Sequence, residues 1–356
     1  MAFFGAARTK HNSLFAGGGF CLRMGTMAHV SLVGGQHRKD NIAKALQLIR
    51  EEIDVRGKVL IKPNLSALAN KDANTDVEAV AAIIEFFNKE YVGLQITVGD
   101  CSGGAYYAGQ STRTVLERFG YYELERYGNV KVVDFDNWSV FNEITVQMVR
   151  GTGKCRIMKH DFDYVVSVSL PKTHDFVIAS LGIKNLIMGL THKEDRIFIH
   201  GLKGRALLQR GTDILSSLPP FLVGPLDRLG EWIVINFSGY CRSVIVTNRN
   251  LAALAKVLKP DLVVLDGLYG MEGDGPIEGD RIRLDVAIAS VDPLKADGVG
   301  VRLMGLEPKD IGYLYYLQED GYGDYSLEGL AGDSIETYRR NFKMHSRYHK
   351  EMAWRE

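Results

Sequence analysis

Between residues 28 and 310 the chain keeps a rhythm that few folds accommodate: short runs rich in Val, Ile and Leu alternate with longer stretches of helical spacing. "HVSLVGG" reads as a strand, "KDNIAKALQLIREEI" as an amphipathic helix and "KVLIKPN" as a second strand. "DVEAVAAIIEFFNKE", "LQITVGD", "TRTVLERFGYYELERY" and "VKVVDFD" continue the series, and "EITVQMV" reads as a strand before a charged loop at 150–161. "YVVSVSLP" is apolar on both faces, as a central parallel strand is, and "FVIASLGIKNLIMGL" after it reads as a helix. The rhythm predicts an α/β protein with a mostly parallel sheet flanked by helices. We expect two lobes, 28–150 and 151–310, followed by a tail at 311–356 that ends in a charged surface helix.

Two segments fall outside the rhythm. Residues 1–27 are Gly- and Ala-rich, with basic and no acidic side chains, and read as a disordered or mis-assigned leader, the folded protein starting near Met24 or Met27. Residues 205–246 form an apolar insertion broken by Pro219, Pro220 and Pro225, which reads as a helical lid, a homodimer face or a membrane-touching flap.

The 356 residues carry 43 basic and 43 acidic side chains, so a nucleic-acid footprint of the usual basic kind is excluded. No apolar run reaches about 18 residues, which argues against a spanning helix. Cys21, Cys101, Cys155 and Cys241 lie far apart without a C-x-x-C pair, which argues against a zinc ribbon or a chain-borne iron-sulfur cluster and fits free thiols in the cytoplasm.

In open α/β sheets ligands sit outside the carboxyl ends of the strands. "IKPN" puts Lys62 and Asn64 there, "VGDCSGG" puts Asp100 and Ser102, "SLPKTH" puts Lys172 and His174, and "VLDGLYGMEGDGP" puts Asp266, Asp274 and Gly275. Each has a plain reading as a cap or turn, yet all four strand ends are polar. "DCSGG" matches neither G-x-G-x-x-G nor the phosphate-loop pattern, so no nucleotide is assigned. His174, His192 and His200 lack H-E-x-x-H spacing and no metal is assigned; Lys193 and Arg196 make their loop cationic, which suits an anion. Lys184 and Asn185 lie in the apolar run, one turn beyond Ser180, with Gly182 and Gly189 on the Asn185 stripe leaving room for a ligand or another backbone. Lys184 either serves the cleft, or snorkels to the surface or pairs with Asp266.

"VLIKPNLS", "VGDCSGG", "VVSVSLPKTH", "GIKNLIMGL", "DRIFIHG", "VVLDGLYGMEGDGPIEG" and "IASVDPLKADGVGVRLMGL" occur in one order, and in that order the chain resembles the Domain of Unknown Function 362 family over 28–306. The resemblance implies roles for Lys62, Pro63, Asn64, Asp100, Lys172, His174, Lys184, Asn185, His200, Asp266, Gly275, Pro276, Asp292 and Asp297. Some members carry a ferredoxin-type iron-sulfur module; without one, redox work here would need a ferredoxin-type partner.

Together these readings lead to an enzyme for a small anion bearing phosphate or carboxylate. Lys172, His174 and Lys184 would carry proton transfer of an isomerase or racemase kind. Lys62, Asn64, Asp100, Ser102, Asn185, Arg196, His200, Asp266, Asp274 and Gly275 would bind the substrate. The cofactor is left unassigned, although a bound organometallic or nucleotide group, by analogy with the lactate racemase family, is one form of this reading. The alternatives are a redox accessory protein and a non-catalytic cofactor carrier.

Overall fold

The strands alternate their side chains between two apolar layers, so helices must cover both faces of the sheet. A computed structural model describes residues 29–202 and 239–356; the leader and most of the insertion lie outside them. Strands β1 (Val30–Gly34), β2 (Lys58–Lys62), β3 (Gln95–Asp100) and β4 (Val130–Asp134) come first. β5 (Phe141–Gln147) and β6 (Thr152–Met158) form a separate antiparallel hairpin. β7 (Tyr164–Ser169), β8 (Lys172–His174), β9 (Ile178–Ser180), β10 (Leu262–Glu272), β11 (Asp280–Ser290) and β12 (Leu330–Gly332) follow.

The main sheet runs β12-β1-β11-β10-β7-β2-β3-β4. β10, β7, β2, β3 and β4 are mutually parallel, and β11 runs antiparallel to both of its neighbours. In β7 Tyr164, Val166 and Val168 face one apolar layer and Val165 the other; in β2 Val59 and Ile61 face the first and Leu60 the second. Helices α1 (Arg38–Leu48) and α2 (Val77–Glu90) cover the first face. α2 starts where the Asp76 side chain accepts the Glu78 N–H, and it buries Ile83, Ile84, Phe86 and Phe87. The second face is covered by α5 (Gly182–Leu190), α7 (Tyr240–Ala255), α8 (Pro293–Leu303) and α9 (Gly312–Glu319). Shorter helices are α3 (Gly103–Tyr107), α4 (Thr112–Arg118) and α6 (Arg196–Ile199).

Several expectations are corrected. A division at 150 does not separate two sheets, because β7, β10 and β11 insert between β1 and β2. The expected charged loop at 150–161 is largely β6, whose polar side chains occupy one face of a hairpin strand. The apolar run after His174 first turns back as β9 and becomes helical only at Gly182, so Ser180 belongs to a strand and is not a turn of the Lys184 helix. At that hairpin Ile178 has φ 68°, a conformation costly for a β-branched residue. The tail at 311–356 holds α9 and β12 and, beyond them, only short helical turns, which bury Ile335, Glu351 and Trp354.

Candidate active site at the sheet's carboxyl edge

From β2 the chain winds outward through β3 and β4, then returns as β7 on the other side of β2. Such a reversal opens a crevice at the carboxyl ends of the strands. Lys62 closes β2 and Asp100 closes β3, and their side chains meet with Nζ 2.9 Å from Oδ1. Lys62 Nζ also donates to Asn185 Oδ1 at 2.6 Å and to the Pro63 carbonyl at 2.8 Å. Asp100 accepts the backbone N–H groups of Leu65 and Cys101, each at 2.8 Å. Asn185 in turn donates to Ser167 Oγ at 2.9 Å and the Val168 carbonyl at 3.1 Å, tying α5 to β7. The helix start is held from below by Asp297, whose carboxylate accepts Gly182 N–H at 2.8 Å and Ile183 N–H at 3.1 Å. Burial pushes the Asp297 carboxyl up to about 7, against these two N–H donors.

Above this network lies a cavity of about 170 Å³. Lys62, Asn64, Asp100, Lys172, His174, Lys184, Asn185, Arg196 and His200 all line it, so nine of the residues singled out in the sequence come together there. Lys172 Nζ donates only to neutral oxygens: Asn64 Oδ1 at 2.6 Å, and Ser66 Oγ and the Ala73 carbonyl at 2.8 Å. Burial, with Lys184 and Lys62 close by, holds Lys172 well below the usual lysine range. Arg196 donates to the carbonyls of Cys101 at 2.7 Å and Thr191 at 3.3 Å and is 4% exposed. Lys184, 6% exposed, has no hydrogen-bond or ion-pair partner among the described residues. Burial lowers it to about 8; the Asp175 charge opposes the shift, and Arg196 and Lys62 add to it.

His174 is buried, and its Nδ1 lies 3.0 Å from Asp175 Oδ1. The same nitrogen is 3.1 Å from the Phe176 N–H, and it cannot donate to one while accepting from the other. The carboxylate is the stronger partner, which puts the proton on Nδ1 and leaves Nε2 as a lone pair. Burial, aided by Lys184, lowers His174 to about 4; burial, Lys184 and His174 lower His200 to about 3. Both rings are therefore neutral at pH 7, and they stack with centroids 6.4 Å apart.

Four of the residues assigned catalytic or binding roles from the sequence are not in the cavity wall. Ser102 is buried, capping α3 through the Ala105 N–H. Asp266 pairs with Arg38 at 2.8 Å in a neighbouring pocket, and it does not meet Lys184. Asp274 accepts the Ser346 N–H at 3.0 Å on the tail side. Gly275 packs on Thr173 beside the wall residues Pro276 and Ile277. His192 lies against Phe141, apart from His174 and His200. Leu65, Ser66, Cys101, Gly103, Gly104, Tyr107, Ser180, Met188 and Gly189 complete the wall. Of these, "DCSGG" and the Gly189 stripe carried a signal; Ser66, Tyr107 and Met188 carried none. Gly189 makes room for the Lys62 side chain, since a Cβ there would sit 1.6 Å from Lys62 Cε.

Among the described residues no group of three or more His, Cys, Asp or Glu side chains is placed to hold a metal ion, and no helix is long and apolar enough to cross a membrane. Cys101 and Cys155 are buried free thiols, and Cys241 is an exposed one. A family model described as "Domain of unknown function (DUF362)" matches residues 59–302, a narrower span than the resemblance implied at the N-terminal side. The thylakoid-associated protein sll1697 of Synechocystis sp. is 26% identical over 258 residues, covering 71% of this chain. The chain spans 65% of that relative's length. The lactate racemase apoprotein of Thermoanaerobacterium thermosaccharolyticum aligns with TM-score 0.45 and 13% identity over 78% of this chain and 58% of its own.

Proposed function

We propose that this chain, which belongs to the DUF362 family, binds a small anionic substrate in the cavity at its sheet edge and exchanges a proton with it through His174. The observation that carries the reading is a buried Lys184 with no partner among the described residues, in the same wall as a neutral, carboxylate-held imidazole. A buried ammonium without a counter-ion costs several kcal/mol, and a bound anion would remove that cost. His174 Nε2 would take a proton from a carbon beside a carbonyl or carboxylate. The electron pair left behind would move onto that group's oxygen, which Lys184 and Arg196 would hold. Lys184, at about 8, is also suited to return a proton near neutral pH. Free described thiols support a reducing compartment such as the cytoplasm.

The test is solvent exchange. Small carboxylates and phosphate esters would be incubated with the protein in deuterated water and followed by proton NMR. We expect loss of the proton next to the carbonyl for at least one compound, abolished in His174→Asn while binding persists. Binding without exchange would favour the carrier reading; no binding by any compound would remove the anion reading altogether.

A further inference from the structure

The cavity's charges can be weighed one against another, and the result bears on the ligand's own charge; the argument rests on the anion-binding reading above. Lys62, Lys172, Lys184 and Arg196 are all buried in one wall. Against these four cations the described residues set two carboxylates, Asp100 and Asp175. Asp100 is committed to Lys62 at 2.9 Å, and Asp175 to His174 at 3.0 Å. Lys172 spends its three donors on neutral oxygens, and Arg196 donates to two carbonyls. The remaining guanidinium nitrogen, Nη1, is directed towards Gly103, where an added Cβ would meet it at 3.6 Å, so the glycine leaves its approach open. The histidines add nothing at pH 7, being neutral.

We infer that the cavity takes a ligand carrying two negative charges close together, a phosphoryl group or a dicarboxylate, held by Lys184 and Arg196, with the buried charge of Lys172 in the same wall adding attraction without a hydrogen bond. A single carboxylate leaves a buried cation uncompensated, and among side chains this buried that residual charge opposes binding. Two charges match the excess of two. Burial disfavours the charged forms of Lys172 and Lys184, and a dianion beside them offsets that cost, so the ligand binds the charged form of the wall.

Calorimetric titration of the whole chain with acetate, malonate and methyl phosphate tests this. We expect malonate or methyl phosphate to bind at least about tenfold more tightly than acetate, with the tighter of the two identifying the chemistry. The advantage should collapse in Lys184→Met, and in Lys172→Met as a second variant, each checked for folding by its urea midpoint. Acetate binding as tightly as the dianions would overturn the charge inference and leave anion binding standing. If none of the three binds, both fall.

Discussion

At the scale of single residues, Lys184 decides most. Its ordinary value of 10.5 falls to about 8 through burial, with Arg196 and Lys62 adding to the fall and Asp175 opposing it. The unfolded chain keeps this lysine protonated up to about 10.5, whereas the folded chain releases the proton near 8. Between those values the unfolded state holds more protons, so stability rises with pH across that window. Below 8 the full penalty stands, on the order of 3 kcal/mol. Lys184→Met should therefore be more stable than the wild type at pH 7, with the advantage shrinking towards pH 10. Urea unfolding at the two pH values reads this, and an equal difference at both would show that Lys184 carries no buried charge. The cations were legible in the sequence because Lys172, Lys184 and His174 stand in apolar runs where charge is conspicuous. Asp266 misled because β10 does not end there: it continues to Glu272 along β11, with Asp266 paired to Ala287 well inside the ladder.

At the scale of elements, α5 is the piece on which the site hangs, since Lys184, Asn185 and Gly189 ride on its nine residues. Its glycines could be read from the sequence as points of close approach, but its start could not. A continuous apolar run has no period that separates strand from helix, and the β8–β9 hairpin is set by tertiary pairing of Lys172 with Met271 of β10. Gly189 gives the sharpest test of this packing. A Cβ at 189 would lie 2.4 Å from Lys62 Nζ and 2.5 Å from Asp100 Oδ1 as well as on Lys62 Cε, so the buried pair must part. Breaking such a pair costs about 3–5 kcal/mol, and we expect Gly189→Ala to lose that much in urea unfolding. Gly103→Ala is the contrast: its nearest neighbour would be at 3.6 Å, an ordinary contact, and its stability should stay within about 0.5 kcal/mol of wild type. Equal stability of the two variants would mean that Lys62 and Asp100 are not locked together beneath α5.

At the scale of the whole molecule, strand order was the part the sequence withheld, because β12 joins β1 from 300 residues away and no local pattern encodes that pairing. The same holds for the tail, which is not a detached surface helix but a strap over the loop after β10. Gly273 N–H donates to the Lys343 carbonyl at 2.7 Å, Lys343 N–H to Glu272 Oε2 at 2.8 Å, and Ser346 N–H to Asp274 Oδ1 at 3.0 Å. Arg347 reaches to 3.9 Å from Asp175, the partner of His174, so the strap touches the site. His345 sits at its centre, Nδ1 2.9 Å from Glu351 Oε1 and Nε2 3.6 Å from Asp274 Oδ1. Burial lowers this ring, yet the bond to Glu351 and the charges of Glu351, Asp175 and Asp274 outweigh it and leave His345 above its ordinary 6.5. A histidine raised in the folded state contributes stability fully below 6.5 and loses it as pH climbs through the raised value. His174 and His200, lowered on folding, have the opposite sign, so the strap and the cleft respond to acid in opposite directions. Hydrogen exchange at pH 6 and pH 9, corrected for intrinsic rates, should show the amides of Gly273 and Ser346 less protected at the higher pH. His345→Phe should flatten that dependence. Protection that is independent of pH in the wild type would mean that the His345 charge does not fasten the tail to the sheet edge.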